Sequence, residues 1–304
     1  MPAESFTNQA RLLVRALPVI AEEKTFALKG GTGINLFHRN MPRLSVDIDL
    51  VYLHIQPREV TLASIGSALE RLALSIEARI PGAVVRPSLS GGDDLRLEIR
   101  AGRVAIKVDT SPVFRGTVHP PVVRRTTPEV ERAFGFAEMN VVAFEDLYAG
   151  KLVAALDRQH PRDLYDVQLL YDNEGVTDTL FRTFLVYLAS SSRPPHELLN
   201  PNRVEIEAAY RNEFEGMTVE PLDLDELIAT RERLFANMRE LLDDSVKSFL
   251  LSLHDADPDF SAIGFPEAIA LPAVQWKLQN LRRLRDIDAD KHSRHKRAIE
   301  ELFE

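Results

Sequence analysis

Two aspartates stand at i and i+2 in RLSVDIDLVYL, Asp47 and Asp49, and a glycine pair, Gly30 and Gly31, precedes them in KGGTGINLF. In an extended chain, residues two apart project from the same side, so both carboxylates share one surface. A third acid, Asp109 in AIKVDT, lies at the end of another alternating run, two residues after Lys107. Dry, unpaired carboxylates on one sheet would repel by several kcal/mol, on the order of the Coulomb energy at short range. A divalent cation removes that conflict. Hard oxygen ligands suit Mg²⁺, or Mn²⁺ in its place, and Mg²⁺ binds through one or two carboxylates together with substrate phosphates. Glycines ahead of a short helix let a phosphate chain approach the backbone N–H groups and the positive helix end. The parts together suit phosphoryl transfer, with metal clamping the attacking and leaving oxygens.

Each part has a plain structural alternative. A DxD triplet occurs on ordinary surface strands, and Gly-Gly is often only a turn. A P-loop is excluded because Lys29 precedes the glycines and the GxxxxGK[ST] order is missing. Aspartates between Val46, Ile48 and Leu50 nevertheless disfavour a strand, which argues for a functional reason. Ser45 lies on the carboxylate face, where it either touches a nucleotide or fills the strand. Further along, Lys151 sits at the boundary of an apolar stripe formed by Leu147, Leu152, Val153 and Leu156, a place where lysines also snorkel. Asp163 follows Pro161-Arg162 and reads either as an N-cap or as a site residue. Asp166 is one turn on, and capping does not explain both. Arg162 offers a planar fork for phosphate, or is a surface arginine.

Composition narrows the classes. The absence of cysteine excludes disulfides, thiolate catalysis and cysteine-ligated zinc. His54, His119 and His160 have no metal-ligand spacing, and no serine occupies a G-x-S-x-G elbow. No run reaches the roughly 18 apolar residues of a membrane helix, and the N-terminus lacks a signal-peptide core, so a cytoplasmic location is expected. A net charge of −9 argues against non-specific coating of nucleic acid. Basic residues gather near the C-terminus in residues 279–297, where Arg282, Arg283, Arg285, Lys291, Arg294, Lys296 and Arg297 form either a solvated helical tail or an RNA contact.

Periodicity places these residues on elements. A helix is predicted over residues 4–22 from Leu12, Leu13, Ala16 and Ile20, and a strand over 25–28. Thr32 is expected to cap a short helix carrying Ile34, Leu36 and Phe37. Strict alternation predicts a strand over 44–53, and a helix follows over 59–79. The runs 94–100 and 103–110, joined by Ala101-Gly102, predict a hairpin, and residues 111–127 read as extended segments and loops. From residue 144 the pattern becomes helical, which sets a domain boundary near residue 140.

KGGTGINLF followed by RLSVDIDLVYL resembles the glycine-rich turn and DxD strand of nucleotidyltransferases, in the form seen in the AbiEii/AbiGii toxin family with its MenT toxins. VVAFEDLYAGKLVAALDRQHPRDLYDVQLL, residues 141–170, and WKLQNLRRL, residues 276–284, match the same family in order along the chain. The resemblance implies an α/β (α+β) architecture: a nucleotidyltransferase-like domain with a mixed sheet in residues 1–140, and a helical C-terminal domain in residues 141–304 that completes the active site. It implies that Gly30, Gly31 and Thr32 line a triphosphate and that Asp47 and Asp49 hold Mg²⁺. By the same resemblance Asp109 serves as ligand or general base, with Lys107 the rival on its face. Lys151 contacts phosphate, and Asp163 and Asp166 complete the site. The implied activity is transfer of a nucleoside monophosphate from an NTP to an acceptor hydroxyl, in a toxin with an AbiEi-like antitoxin, the tRNA 3′ end being the expected acceptor and a monomer the expected state. Transfer to a protein or small molecule, or a nucleotide-binding regulatory module without turnover, are the alternatives.

Overall fold

The computed structural model describes residues 4–87 and 95–304. The chain divides into two compact units, Met1–Ala143 with Glu215–Pro221, and Phe144–Phe214 with Leu222–Glu304. In chain order the first unit contains α1 (Glu4–Ile20), β1 (Phe26–Lys29), α2 (Gly30–Phe37), β2 (Asp47–Tyr52), α3 (Arg58–Arg79), β3 (Ala83–Pro87), β4 (Leu95–Ala101), β5 (Val104–Arg115), β6 (Val122–Arg125), α4 (Pro128–Phe134) and β7 (Glu138–Val141). The strands form one mixed seven-stranded sheet in the order β3-β4-β5-β2-β1-β7-β6, in which β2 runs parallel to β5 and β1 parallel to β7. The predicted hairpin is present as β4 and β5, although Asp94 lies outside the described residues.

Sheet register separates apolar rows from charged ones. Ile48 faces Val108, which faces Leu97, and all three are buried. Rows two residues apart share a face and neighbouring rows alternate, so the residues on either side of this row point the other way. The helices α1 and α3 pack on the sheet, and the buried side of α1 carries Leu12, Leu13, Ala16, Leu17 and Ile20. Burying each such side chain contributes about 1.5–3 kcal/mol, which is what holds α1 and α3 in place.

Two expectations are corrected in this unit. Helix α2 begins at Gly30 with Lys29 as N-cap and no side-chain cap, so Thr32 is an interior helical residue. The strand predicted over 44–53 begins only at Asp47, because residues 42–44 are drawn aside by a returning segment. Leu44 N–H donates to Met217 O at 3.0 Å, Val219 N–H donates to Pro42 O at 2.8 Å, and Arg43 bridges to Thr218.

The second unit is helical: α5 (Phe144–Arg158), α6 (Pro161–Asn173), α7 (Asp178–Ser190), α8 (Pro195–Leu199), α9 (Glu207–Glu213), α10 (Leu224–Glu240), α11 (Asp244–His254), α12 (Pro272–Ile287) and α13 (Ala289–Glu300), with short 3-10 turns around residues 260–270 and 301–303. Helix α5 packs on α7, and Tyr148, Leu152 and Leu156 of α5 and Phe184 of α7 are all fully buried. The basic C-terminal stretch forms two helices rather than one tail, divided at Asp288, whose side chain accepts from Lys291 N–H at 2.8 Å and caps α13.

Candidate active site

The DxD carboxylates sit where two charged rows cross the sheet. Asp47 lies opposite Lys107, which lies opposite Glu98. Two rows along, on the same face, Lys29 lies opposite Asp49, Asp49 opposite Asp109, and Asp109 opposite Arg96. Every neighbouring pair in these rows alternates in sign except Asp49 and Asp109. Like charges directly across a strand pair are destabilising, so among the described residues of these rows this is the step that calls for a cation. Arg96 forms an ion pair with Asp109 through Oδ1, which offsets part of the repulsion from the far side.

Helix α2 delivers the glycines to the same carboxylates. Gly30 has φ +71°, a left-handed conformation that side chains rarely adopt. A Cβ there would also fall 2.2 Å from Asp49 Oδ2, so the backbone at the start of α2 lies against the Asp49 carboxylate. At Gly31 a Cβ would fall 2.7 Å from Arg43 Nη2 and 3.0 Å from Ser45 Oγ. Both glycines are therefore needed for close approach, Gly30 to Asp49 and Gly31 to Arg43 and Ser45.

The hydroxyl of Thr32 donates to Asp47 O at 2.5 Å and lies 2.9 Å from Ser45 Oγ, in a fully buried position. Thr32 and Ser45 thus tie α2 to the start of β2 and set where Asp47 points. Arg43 was not found by sequence reasoning. It is buried, donates through Nη1 to Leu44 O at 2.8 Å, and lays its Nη2 over Gly31. The signal was a charged residue immediately before the alternating run, but its burial depends on residues 217–219, far away in sequence. Arg96, the partner of Asp109, was likewise missed.

In the helical unit, Lys151, Asp163 and Asp166 converge. Lys151 Nζ is 2.7 Å from Asp163 Oδ1 and 3.0 Å from Asp166 Oδ2, and all three side chains are buried. Arg158 adds bonds of 2.5 and 3.0 Å to the two oxygens of Asp163. Burial by itself raises the Asp163 carboxyl, but the Lys151 ammonium and the Arg158 guanidinium overcome it and hold the group well below the ordinary carboxylate range. Lys151 is accordingly not a snorkelling boundary residue. Nor does Asp163 cap α6: His160 does, its Nδ1 accepting from Arg162 N–H at 3.1 Å. Burial lowers the His160 pKa against the opposing pull of Glu213, which suits a ring nitrogen acting as acceptor. Arg162 is half-exposed, 3.8 Å from Glu213.

The sheet, the glycine-started helix and the paired strand acids are the features of a nucleotidyltransferase-like fold. The family model of the nucleotidyl transferase AbiEii toxin, of Type IV toxin–antitoxin systems, matches residues 11–280. The chain belongs to this family, and with it to the nucleotidyltransferase toxins of toxin–antitoxin systems, which implies an antitoxin partner. Among solved structures, the crystal structure of JHP933 from Helicobacter pylori is similar, with 17% sequence identity, coverage of 79% of this chain and 94% of that one, and a TM-score of 0.46. No curated protein matches the chain. No helix among the described residues is long and apolar enough to cross a membrane.

Proposed function

We propose that this nucleotidyltransferase uses Mg²⁺, or Mn²⁺, to move a nucleoside monophosphate from an NTP to the 3′-terminal hydroxyl of tRNA, blocking translation. The observation that carries the metal assignment is the register of Asp49 against Asp109, with Gly30 closed down on the Asp49 carboxylate. These are hard oxygen donors on one face, beside helix amides suited to phosphate. Asp47 and Asp49 would hold the metal, which supplies charge neutralisation at the phosphates, and Asp109 would act as a further ligand or as the base. In the transfer, the acceptor oxygen bonds to the α-phosphorus, the α–β bridging bond breaks, pyrophosphate leaves and the hydroxyl proton passes to the base.

The residues of this chain have separable parts in that reaction. Gly30 and Gly31 present backbone N–H groups to the triphosphate, while Thr32 and Ser45 hold α2 and β2 in register. Arg43 brings positive charge over Gly31. The resemblance gives Lys151 a phosphate contact and Asp163 and Asp166 a share in the site, and the planar fork of Arg162 offers a further phosphate contact. Within their own unit the first three hold one another rigid, which suits groups whose geometry must not drift. An AbiEi-like antitoxin, a cytoplasmic location and a monomeric state complete the proposal.

The test is incubation of the pure protein with each labelled NTP, Mg²⁺ and total cellular RNA. Label on tRNA 3′ ends that vanishes in Asp47→Asn and Asp49→Asn supports the reading. Label confined to protein or to a small molecule refutes the acceptor, and NTP binding without pyrophosphate release refutes turnover.

A further inference from the structure

Away from the sheet, the described residues bring a cluster of metal-ligating side chains together: His196 and Glu197 of α8 with His295 of α13. One ligand atom from each lies within 4.8 Å of the others, and the two imidazole rings are 4.7 Å apart at 60°. Nothing in the sequence announces it, since the two histidines lie 99 positions apart. His196 Nδ1 is buried and has no hydrogen-bond partner among the described residues. A buried ring nitrogen without a partner is costly and needs an explanation. His196 and Glu197 also line a cavity of about 390 Å³ whose wall includes Asp157, Asn200, Asn202 and Glu301.

We propose that His196, Glu197 and His295 form a binding site for a borderline transition-metal cation of the Zn²⁺ class, separate from the Mg²⁺ chemistry of the sheet acids. Two imidazoles and one carboxylate are a donor set zinc takes, with a fourth position left open. That open position is available to water or a ligand in the cavity. Tetrahedral zinc needs ligand atoms roughly 3.3 Å apart, so the cluster has to contract by about 1.5 Å at most. Glu197 is exposed and His295 half-buried, so side-chain rotation supplies the movement. Burial, and then the neighbouring ring, lower the pKa of His196, while burial followed by Lys291 lowers that of His295. The opposing charges are Arg193, 3.7 Å from Glu197, with Lys277, Lys291 and Arg294 nearby. Arg193 has a second partner in Asp157 at 3.1 Å, and Lys277 donates to the carbonyl of Ser191 at 2.9 Å and to that of Arg193 at 2.5 Å, so both have places to stay when Glu197 turns to a metal.

The experiment is titration of the untagged full-length chain with ZnCl₂ by calorimetry, and with Co²⁺ by visible absorption. Wild type should bind one Zn²⁺ with a dissociation constant in the micromolar range or tighter, and Co²⁺ should give tetrahedral-type bands. His196→Gln and His295→Gln, checked for unchanged circular dichroism, should each weaken binding at least about tenfold. Asp47→Asn with Asp49→Asn should leave it unchanged. The absence of saturable binding overturns the site, as does affinity indifferent to both histidine variants. Loss of binding in the aspartate variant overturns it too, because the metal would then sit on the sheet acids.

Discussion

Replacing Lys151 with methionine keeps the volume of the side chain and removes its charge from between two buried carboxylates. At 2.7 and 3.0 Å, and at an effective dielectric of about 20, each contact carries about 5–6 kcal/mol of gross attraction, most of it offset by the cost of dehydrating the ions. Breaking a buried pair while leaving its partner charged costs about 3–5 kcal/mol. Arg158 stays on Asp163, but its side chain is 61% exposed and screened, so the lower figure of about 3 kcal/mol is expected. With a urea m-value of about 2–3 kcal/mol/M, the midpoint of the helical unit should fall by about 1–1.5 M. Far-UV circular dichroism reads this transition, and Trp276, the single tryptophan, lies in the same unit as a local probe.

The loss depends on pH. In wild type the Asp163 carboxyl is depressed below its ordinary 3.8, so its contribution is present above that value and lost as pH falls through the folded pKa. In Lys151→Met, burial is no longer opposed by the ammonium and the group titrates higher. The gap between variant and wild type should therefore be widest near neutral pH and close as pH drops below about 4. Adding Asp163→Asn and Asp166→Asn to Lys151→Met should recover most of the loss at pH 7, since no buried charge is then left without its lysine. A midpoint shift under about 0.3 M, or a gap that widens in acid, would refute the account of Lys151 as the counter-ion of the cluster.

Three other outcomes are expected. Gly30→Ala, whose Cβ would fall 2.2 Å from Asp49 Oδ2 at φ +71°, should cost about 1–3 kcal/mol of stability and at least 10²-fold in transfer; near-wild-type turnover would show that Asp49 needs no support from the α2 backbone. Asp49→Asn should lower transfer by 10²-fold or more while raising the metal-free melting temperature slightly, because the clash with Asp109 is relieved, and calorimetry without Mg²⁺ checks the second part. Changing Arg282, Arg283 and Arg285 together to glutamine should reduce RNA modification and flatten its salt dependence by up to about 2–3 in log–log slope, whereas an unchanged slope would send the search for the RNA path to Lys107, Arg124 and Arg125.

The sequence by itself determined whatever depends on neighbours along the chain. Alternation placed Asp47 and Asp49 on one face, because successive residues of any strand point to opposite sides. Apolar spacing located the helices bearing Lys151 and Asp166, and Ala101-Gly102 marked the hairpin that carries Asp109. Tertiary structure decided every pairing that crosses the chain. Register alone brings Asp49 opposite Asp109, and a slip of one residue would have turned Asp109 to the other face. Residues 217–219 return to seat Arg43, so the early part of the predicted strand is given up to them. His160 took the capping position that one of the two readings gave Asp163, leaving that carboxylate to Lys151, since which acceptor satisfies a helix end depends on what else competes for it. His196 meets His295 only because α8 and α13 pack together. Local periodicity carries no information about such meetings, since it records which way a side chain points and not what waits there.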